Sequence, residues 1–434
     1  MGAHRESPNP NIFFAFACYA FKTENGSGQD REFKNAAWVC ARRPFQQYPN
    51  CHTSTINTRS LLGLLAGMRA CAWVEELSVV KQPKKMGSTF LSLSTTTRLF
   101  FSALAFLAWP TFMISLASAQ NVGVNYGLLG DNLPAPDQVV ALLKSNSIDI
   151  VRLFDPNPAA LAALHGSGIQ LVLGTLDQDL QKLGADPAFA SSWVSTNVLP
   201  HANAVTFRYI TAGNEVIPGD LAASVLPAMK NLDAAIKAAN LSIPVSTVVA
   251  TEVLGTSYPP SQGSFSSAAS PIMAPIVSYL EASKAPLLVN VYPYFAVADD
   301  PKNVPLDYAL FQATGPVVTD GTLLYSNLFD SIVDATYSAM EKVGGGSVEL
   351  VVAETGWPSA GGGNGDNIAT IPNAQTYINN LIAHLGGSPK RPGKKIEAYI
   401  FSIFNENQKP AGTEQHFGMY YPNITQVYPV NFST

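Results

Sequence analysis

Cysteine is missing from most of this chain. Among 434 residues only Cys18, Cys40, Cys51 and Cys71 occur, and none follows residue 71. The long cysteine-free body must hold together by packing, which a chain of this length permits. The four cysteines are widely and irregularly spaced. They lack paired C-x-x-C units, so they do not read as a zinc site, and no periodic pattern around them promises a fold for disulfides to staple.

Charge is scarce too, at 13% of residues. Residues 1–120 carry 12 Lys+Arg against 6 Asp+Glu, a net of +6; residues 121–434 carry 14 against 25, a net of −11; together these give the −5 of the whole chain. An acidic body argues against nucleic-acid binding, which needs a basic surface to neutralise phosphates. Histidine numbers six, and His165, His201, His384 and His416 fall in stretches patterned as helices or loops. Hydrophobic residues, at 47%, are plentiful. Such a chain builds a large core and is not disordered.

The first long apolar run is a leader. In "RLFFSALAFLAWPTFMISLASAQ", residues 98–120, a cation precedes an apolar stretch that ends in Ala117-Ser118-Ala119. This is the three-part pattern of a secretory signal peptide cut before Gln120. A transmembrane anchor is the rival, but Pro110 interrupts the run and the small-residue end suits cleavage. Met86 opens "MGSTFLSLSTTTRLFF", which has the form of a signal-peptide start. Residues 86–119 are therefore expected to be the signal peptide. Residues 1–85 are expected to be an over-long gene model, an alternative transcript or an unstructured extension. A transit peptide fits less well, because this region contains acids and lacks an amphipathic pattern. Secretion gives meaning to three sequons, at Asn240, Asn423 and Asn431.

From residue 121 a rhythm of strand, loop and helix begins. Eight strands are expected over 121–127, 149–154, 169–175, 206–215, 243–251, 285–295, 347–358 and 395–406. Most are near-continuously apolar, as buried parallel strands are. Helical spacing marks 221–240, 328–344 and 373–387, and the last two end in glycines suited to a C-cap. This predicts an α/β fold: a single (β/α)₈ TIM barrel over 120–434. A doubly wound open sheet competes, but "GVNYGLLGDNLP" after the first strand lacks the G-x-G-x-x-G phosphate loop.

In such a barrel the chemistry sits at the C-terminal strand ends. Those ends collect Tyr126, Phe154, Asn214, Glu215, Tyr292, Tyr294, Glu354, Trp357, Asn405 and Glu406. They contain no His or Cys, so neither a Ser-His-Asp triad nor a His-rich metal site is indicated. Each glutamate alone could be an ordinary solvated strand-end acid. Glu215 and Glu354 together, on strands four and seven and beside aromatics, propose glycoside hydrolysis. That reaction needs an acid for the leaving oxygen and a base or nucleophile on the other face. A separation of about 5–5.5 Å gives retention and about 6.5–9.5 Å gives inversion. Aromatics supply platforms for sugar rings, and the Asn214 amide could bond a sugar hydroxyl.

The body resembles the plant endo-1,3-β-glucanases, family 17 glycoside hydrolases. The motifs "VGVNYG", "AGNEV", "NVYPYF", "VVAETGWPSAGG" and "FNENQKPAGTEQHFG" carry the resemblance, in order, over about residues 121–434. It implies a retaining enzyme with Glu215 as general acid/base and Glu354 as nucleophile. It also implies a supporting charged cluster of Glu406, Lys409 and Glu414 beside the cleft, which would hold Glu215 protonated and Glu354 ionised. A purely structural ion-pair network is the other reading of that cluster. One departure is visible: many members have Tyr where this chain has Phe154. The resemblance implies a secreted, soluble monomer of the wall or apoplast acting on 1,3-β-glucan, without membrane anchor, metal or cofactor. A 1,3-β-glucan transglycosylase and a non-catalytic glucan-binding wall protein are the alternatives.

Overall fold

The computed structural model describes residues 122–363 and 367–432. The expected leader, the N-terminal extension and all four cysteines lie outside the described residues, as does Ser433 of the third sequon.

Eight parallel strands close into a barrel. They are β1 (Val122–Asn125), β2 (Ile150–Leu153), β3 (Gln170–Gly174), β4 (Thr206–Asn214), β5 (Val245–Val249), β6 (Leu287–Asn290), β7 (Leu350–Thr355) and β8 (Glu397–Ile400). Each pairs with its neighbours in chain order, and β1 closes on β8 with Val122 opposite Ala398. Every one lies inside a segment read from the sequence. The differences are at the ends. Pro293 starts a helix, Pro293–Asp299, where the sixth strand was expected to continue. Proline suits a first helical turn and cannot donate to a central ladder. Two antiparallel hairpins lie outside the barrel, Leu254–Thr256 with Ser264–Phe265 and Val318–Asp320 with Leu323–Tyr325. Strands of two or three residues leave no readable alternation.

The expected helices form as Ala222–Ala238, Leu328–Lys342 and Ile371–His384. The second and third are capped by side chains: Asn327 accepts from the amide of Asp330, and Thr370 from that of Asn373. Such caps satisfy donors that the first turn leaves free. Gly344, at φ 95°, ends the second helix in the conformation glycine adopts freely. Two packed regions result. The outer one lies between strands and helices. The inner one fills the barrel with Ile150, Val172, Val248, Leu288, Val351, Ala353 and Tyr399. This apolar plug separates the barrel mouth from its floor.

Candidate active site

Polar side chains converge at the C-terminal ends of the strands. Arg152 interrupts the apolar strand β2 and is 1% exposed. Its Nη1 donates to Glu354 Oε1 at 2.7 Å, to Asn125 Oδ1 at 3.1 Å and to Ala353 O at 3.3 Å. Its Nη2 donates to Asn214 Oδ1 at 2.7 Å. One guanidinium thus ties β2 to β1, β4 and β7, using the rigid fork that lysine lacks. Tyr292 donates to the other Glu354 oxygen, Oε2, at 2.8 Å. Burial first, then repulsion from Glu354, pushes the Tyr292 hydroxyl well above its usual value, so it stays a donor at neutral pH.

Glu215 is held differently. Asn290, at the end of β6, donates from Nδ2 to Glu215 Oε1 at 2.7 Å. The backbone delivers this carboxyl by a tight turn. Gly213 has φ 81°, and a Cβ there would lie 2.8 Å from Leu180 Cδ1. Glu215 itself has φ 58°, a conformation that side chains other than Gly, Asn and Asp rarely adopt. The Asn214 amide is anchored to Asp177 Oδ1 at 2.9 Å, and the Glu215 amide to Val248 O at 3.0 Å. Register shifts occur in β4 between Thr211 and Asn214 and in β7 between Val352 and Glu354. Bulges re-aim side chains in this way beside functional sites.

The electrostatics of Glu215 follow from its surroundings. Burial among protein atoms pushes its carboxyl up to about 8; repulsion from Glu354 and, less, from Glu252 adds to this, while the Asn290 hydrogen bond and Arg152 oppose it. The residue is nonetheless exposed along the cleft. Water therefore moderates the effect until a ligand displaces it.

The other expected residues divide. Phe154 and Tyr292 are partly exposed. Arg152 stacks on the Phe154 ring at 4.4 Å. Both rings pack edge-on against Phe401, at 6.2 and 6.1 Å, and Tyr292 also meets Phe417 at 5.8 Å. Trp357, by contrast, is 0% exposed, donates to Ile368 O at 2.8 Å and packs on Tyr377. Tyr126 and Tyr294, 4% and 3% exposed, also belong to the outer core. These three support the cleft from behind and offer no platform. Asn405 spends its Oδ1 on the amide of Gly418 at 2.9 Å. It lines, with Asn132, Ser359, Gln415, His416 and Tyr421, a cavity of about 320 Å³ that includes neither glutamate.

The Glu406 cluster forms beside the cleft, and its Glu414 is coupled to Glu354. Glu406 is 2% exposed and accepts the Leu129 amide at 2.8 Å. Lys409 Nζ lies 3.6 Å from Glu406 Oε2 and 4.2 Å from the Phe401 ring centre. A Cβ at Gly127 would crowd the Glu406 carboxylate, which the Leu129 amide holds in place. Burial raises the Glu414 carboxyl; Lys409 opposes this, and Glu354 and Glu406 add to it. Sequence reading missed Arg152, Asn125, Asn290 and Glu252. Arg152 had a signal: a charge inside "DIVRLF" is costly to bury unless something pairs with it. Asn290 stood in the quoted motif "NVYPYF".

Two carboxylates beside aromatic rings, at this end of a parallel barrel, are the equipment of a glycosidase. The model for glycosyl hydrolases family 17 matches residues 122–432, and the chain belongs to that family. A Hordeum vulgare protein with the provisional name glucan endo-1,3-beta-glucosidase GVI is 60% identical over 320 residues, 73% of this chain and 99% of its own length. A Vitis vinifera glucan endo-1,3-beta-glucosidase is 48% identical over 338 residues, 76% of this chain and 96% of its own. Among solved structures, one of two plant beta-glucan endohydrolases with distinct substrate specificities is 49% identical, with a TM-score of 0.69 over 71% of this chain and 100% of its own.

Proposed function

We propose that this protein hydrolyses internal 1,3-β-glucosidic bonds of 1,3-β-glucans with retention of configuration. The observation that carries the reading is the unlike support of two glutamates at one barrel mouth. Glu354 has a donor on each oxygen, from Arg152 and Tyr292. Glu215 has its proton favoured by burial and by the Glu354 charge.

In the first step the Glu354 carboxylate attacks the anomeric carbon while Glu215 donates its proton to the glycosidic oxygen. The C–O bond breaks, the shortened glucan leaves as an alcohol, and a glycosyl ester joins sugar to Glu354. Glu215, now ionised, takes a proton from water as that water attacks the same carbon. The ester breaks and both glutamates return to their starting states. Arg152 positions Glu354 and, through Asn214, fixes the turn that carries Glu215.

Laminarin hydrolysis tests this, with the anomer of the first product read by proton NMR. Wild type is expected to release β-anomeric oligosaccharides and Glu354→Gln to release none. Equal inactivity of both, with binding retained, would point to a glucan-binding protein. Products longer than a short 1,3-glucan substrate would point to transglycosylation. The same reading places the mature chain at Gln120 after a leader of 86–119, secreted to the wall or apoplast as a soluble monomer. N-terminal sequencing of the native protein checks the boundary, and recovery of residues before Met86 would refute it. Among the described residues no helix is long and apolar enough to cross a membrane.

A further inference from the structure

The loops after β7, β8 and β1 enclose a cavity that the mechanism above does not use. It measures about 320 Å³ and includes neither glutamate. That is the lower end of the range of ligand cavities, about 300–1,000 Å³. Glu406 turns to the Leu129 amide, while Asn405 and Asn407, on either side of it in sequence, line the cavity. The walls are tied together. Ser359 donates to His416 O from its amide at 2.8 Å and from its hydroxyl at 3.0 Å. Gln415 Nε2 donates to Lys409 O at 2.8 Å, and Asn407 Nδ2 to Asp131 Oδ1 at 2.7 Å. Three loops are thereby joined around one space without help from a ligand.

The lining is uncharged, in a body that is acidic. Among the described residues no Asp, Glu, Lys or Arg lines the cavity, whereas the carboxamides of Asn132, Asn405, Asn407 and Gln415 do. A charged ligand finds no counter-charge there. Asn405 accepts the Gly418 amide on its Oδ1, and Gln415 donates its Nε2 to backbone carbonyls. Those bonds fix which way each amide faces. Asn405 Nδ2 and Gln415 Oε1, a donor and an acceptor, are left without a partner in the protein. Neither is closed off from water, unlike Arg152 Nε and Asn290 Oδ1. Tyr421 lines the same space and is 40% exposed. Its chain is held: its amide donates to Thr425 O at 2.8 Å, and its carbonyl accepts from the Ile424 amide at 2.9 Å.

Amides that both give and take hydrogen bonds, beside an accessible aromatic ring, suit a neutral sugar. Its hydroxyls meet the amides and its C–H face meets the ring. We propose that this cavity is a second glucan-binding site, which holds one glucosyl unit of a 1,3-β-glucan against Tyr421. Asn405 Nδ2 donates to one hydroxyl of that unit and Gln415 Oε1 accepts from another. A neutral sugar follows from the lining itself, and the choice of 1,3-β-glucan rests on the function proposed above. The unit bound here is not the one being cut. A polymer held at a second point stays near the glutamates between cleavages, which raises its effective concentration there. The site therefore acts on long or insoluble glucan and not on chains too short to reach both points.

Calorimetry with a 1,3-β-linked glucotriose, in a Glu354→Gln background that leaves the sugar intact, counts the sites. One beside the glutamates and one at Tyr421 are expected. Tyr421→Ala should weaken the second about tenfold and leave the first alone. Tyr421→Phe should keep both, since the ring remains. Asn405→Asp keeps the acceptor that Gly418 uses and removes the donor, and should weaken the same site as Tyr421→Ala. Retention of the Glu354→Gln protein on insoluble 1,3-β-glucan should fall in Tyr421→Ala. The ring is on the surface, so the melting temperature should stay near that of the parent. A single site that Tyr421→Ala leaves unchanged overturns the proposal. A single site that Tyr421→Ala weakens also overturns it, because the cavity is then one end of the catalytic cleft. The binding arms do not depend on hydrolysis. Wild type inactive on laminarin, with the Tyr421-dependent site still present, would sink the hydrolase reading and leave this one standing.

Discussion

Two Arg–Glu pairs sit inside this barrel, one at each end of the apolar plug. At the floor, Arg208 forks onto both oxygens of Glu397, through Nε at 2.7 Å and through Nη2. Tyr399 donates to Glu397 Oε1 at 2.7 Å, and Arg208 Nη1 reaches Gln170 at 2.9 Å. No polar atom of this cluster is left buried without a partner among the described residues. At the mouth, Arg152 and Glu354 meet in a similar bond at 2.7 Å. Yet Arg152 Nε, Asn290 Oδ1 and Glu252 Oε2 are buried with none. The ion pair itself does not tell structure from function. The difference lies in completeness. The floor network is saturated and fixes the fold, whereas the network at the mouth keeps unpaired polar atoms.

Breaking each pair in turn makes the comparison quantitative. The largest effect is expected at the mouth. Glu354→Gln should lower kcat on laminarin by at least about 10⁴-fold, because a neutral, poorly nucleophilic amide replaces the carboxylate that forms the ester. At the floor the equivalent change should act on stability. Glu397→Gln leaves Arg208 without its counter-charge, at a cost of about 2–3 kcal/mol, below the figure for a fully buried pair because Arg208 is partly exposed. A melting temperature about 5 °C lower is expected, with kcat unchanged in the folded fraction. A floor variant that lost activity while keeping its melting temperature would dissolve the distinction.

The same contrast explains what could be read from sequence. The strands were legible because each is an apolar run, and the plug needs such runs. Glu215 and Glu354 were legible because they end those runs. The partners that give them different roles were not. Arg152 and Glu354 are 202 positions apart, and only closure of the barrel brings them together. Trp357 was misplaced for a related reason. A residue at a strand end faces the cleft, but β7 ends at Thr355, and two residues further the chain has turned the Trp357 indole into the core. Gly127 of "VGVNYG" and Gly213 of "AGNE" have reasons that become visible only with their neighbours in place, the Glu406 carboxylate and the Leu180 side chain.

The pH profile separates the two ends next. The general acid must be protonated to work. Its carboxyl is raised to about 8, so activity is expected at lower pH and to fall as pH rises through that region. The same shift bears on stability. A raised carboxyl favours the fold while protonated, and that contribution fades between the ordinary carboxyl value of 4.5 and about 8. Glu215→Gln should therefore melt slightly higher relative to wild type at pH 9 than at pH 5. Glu397→Gln should leave the basic limb of the activity profile where it was. A basic limb that moved in Glu397→Gln would mean that the plug does not insulate the ends.

The smallest expected effect compares one hydroxyl at each end. Phe154 stands at the end of β2, stacked on Arg152 and open to the cleft. Phe154→Tyr adds a hydroxyl to a region already short of hydrogen-bond partners, and should raise kcat/KM by about fivefold, the worth of a hydrogen bond of about 1 kcal/mol. Tyr399→Phe removes a hydroxyl from the floor, where it donates to Glu397. That change should cost about 1 kcal/mol of stability and leave kcat/KM alone. The two variants differ by the same oxygen. If the mouth is incomplete for lack of ligand, the added hydroxyl helps turnover and does little to melting. If Phe154→Tyr instead stabilised the fold without changing turnover, the mouth would be short of protein partners only, and its unfilled atoms would carry no message about substrate.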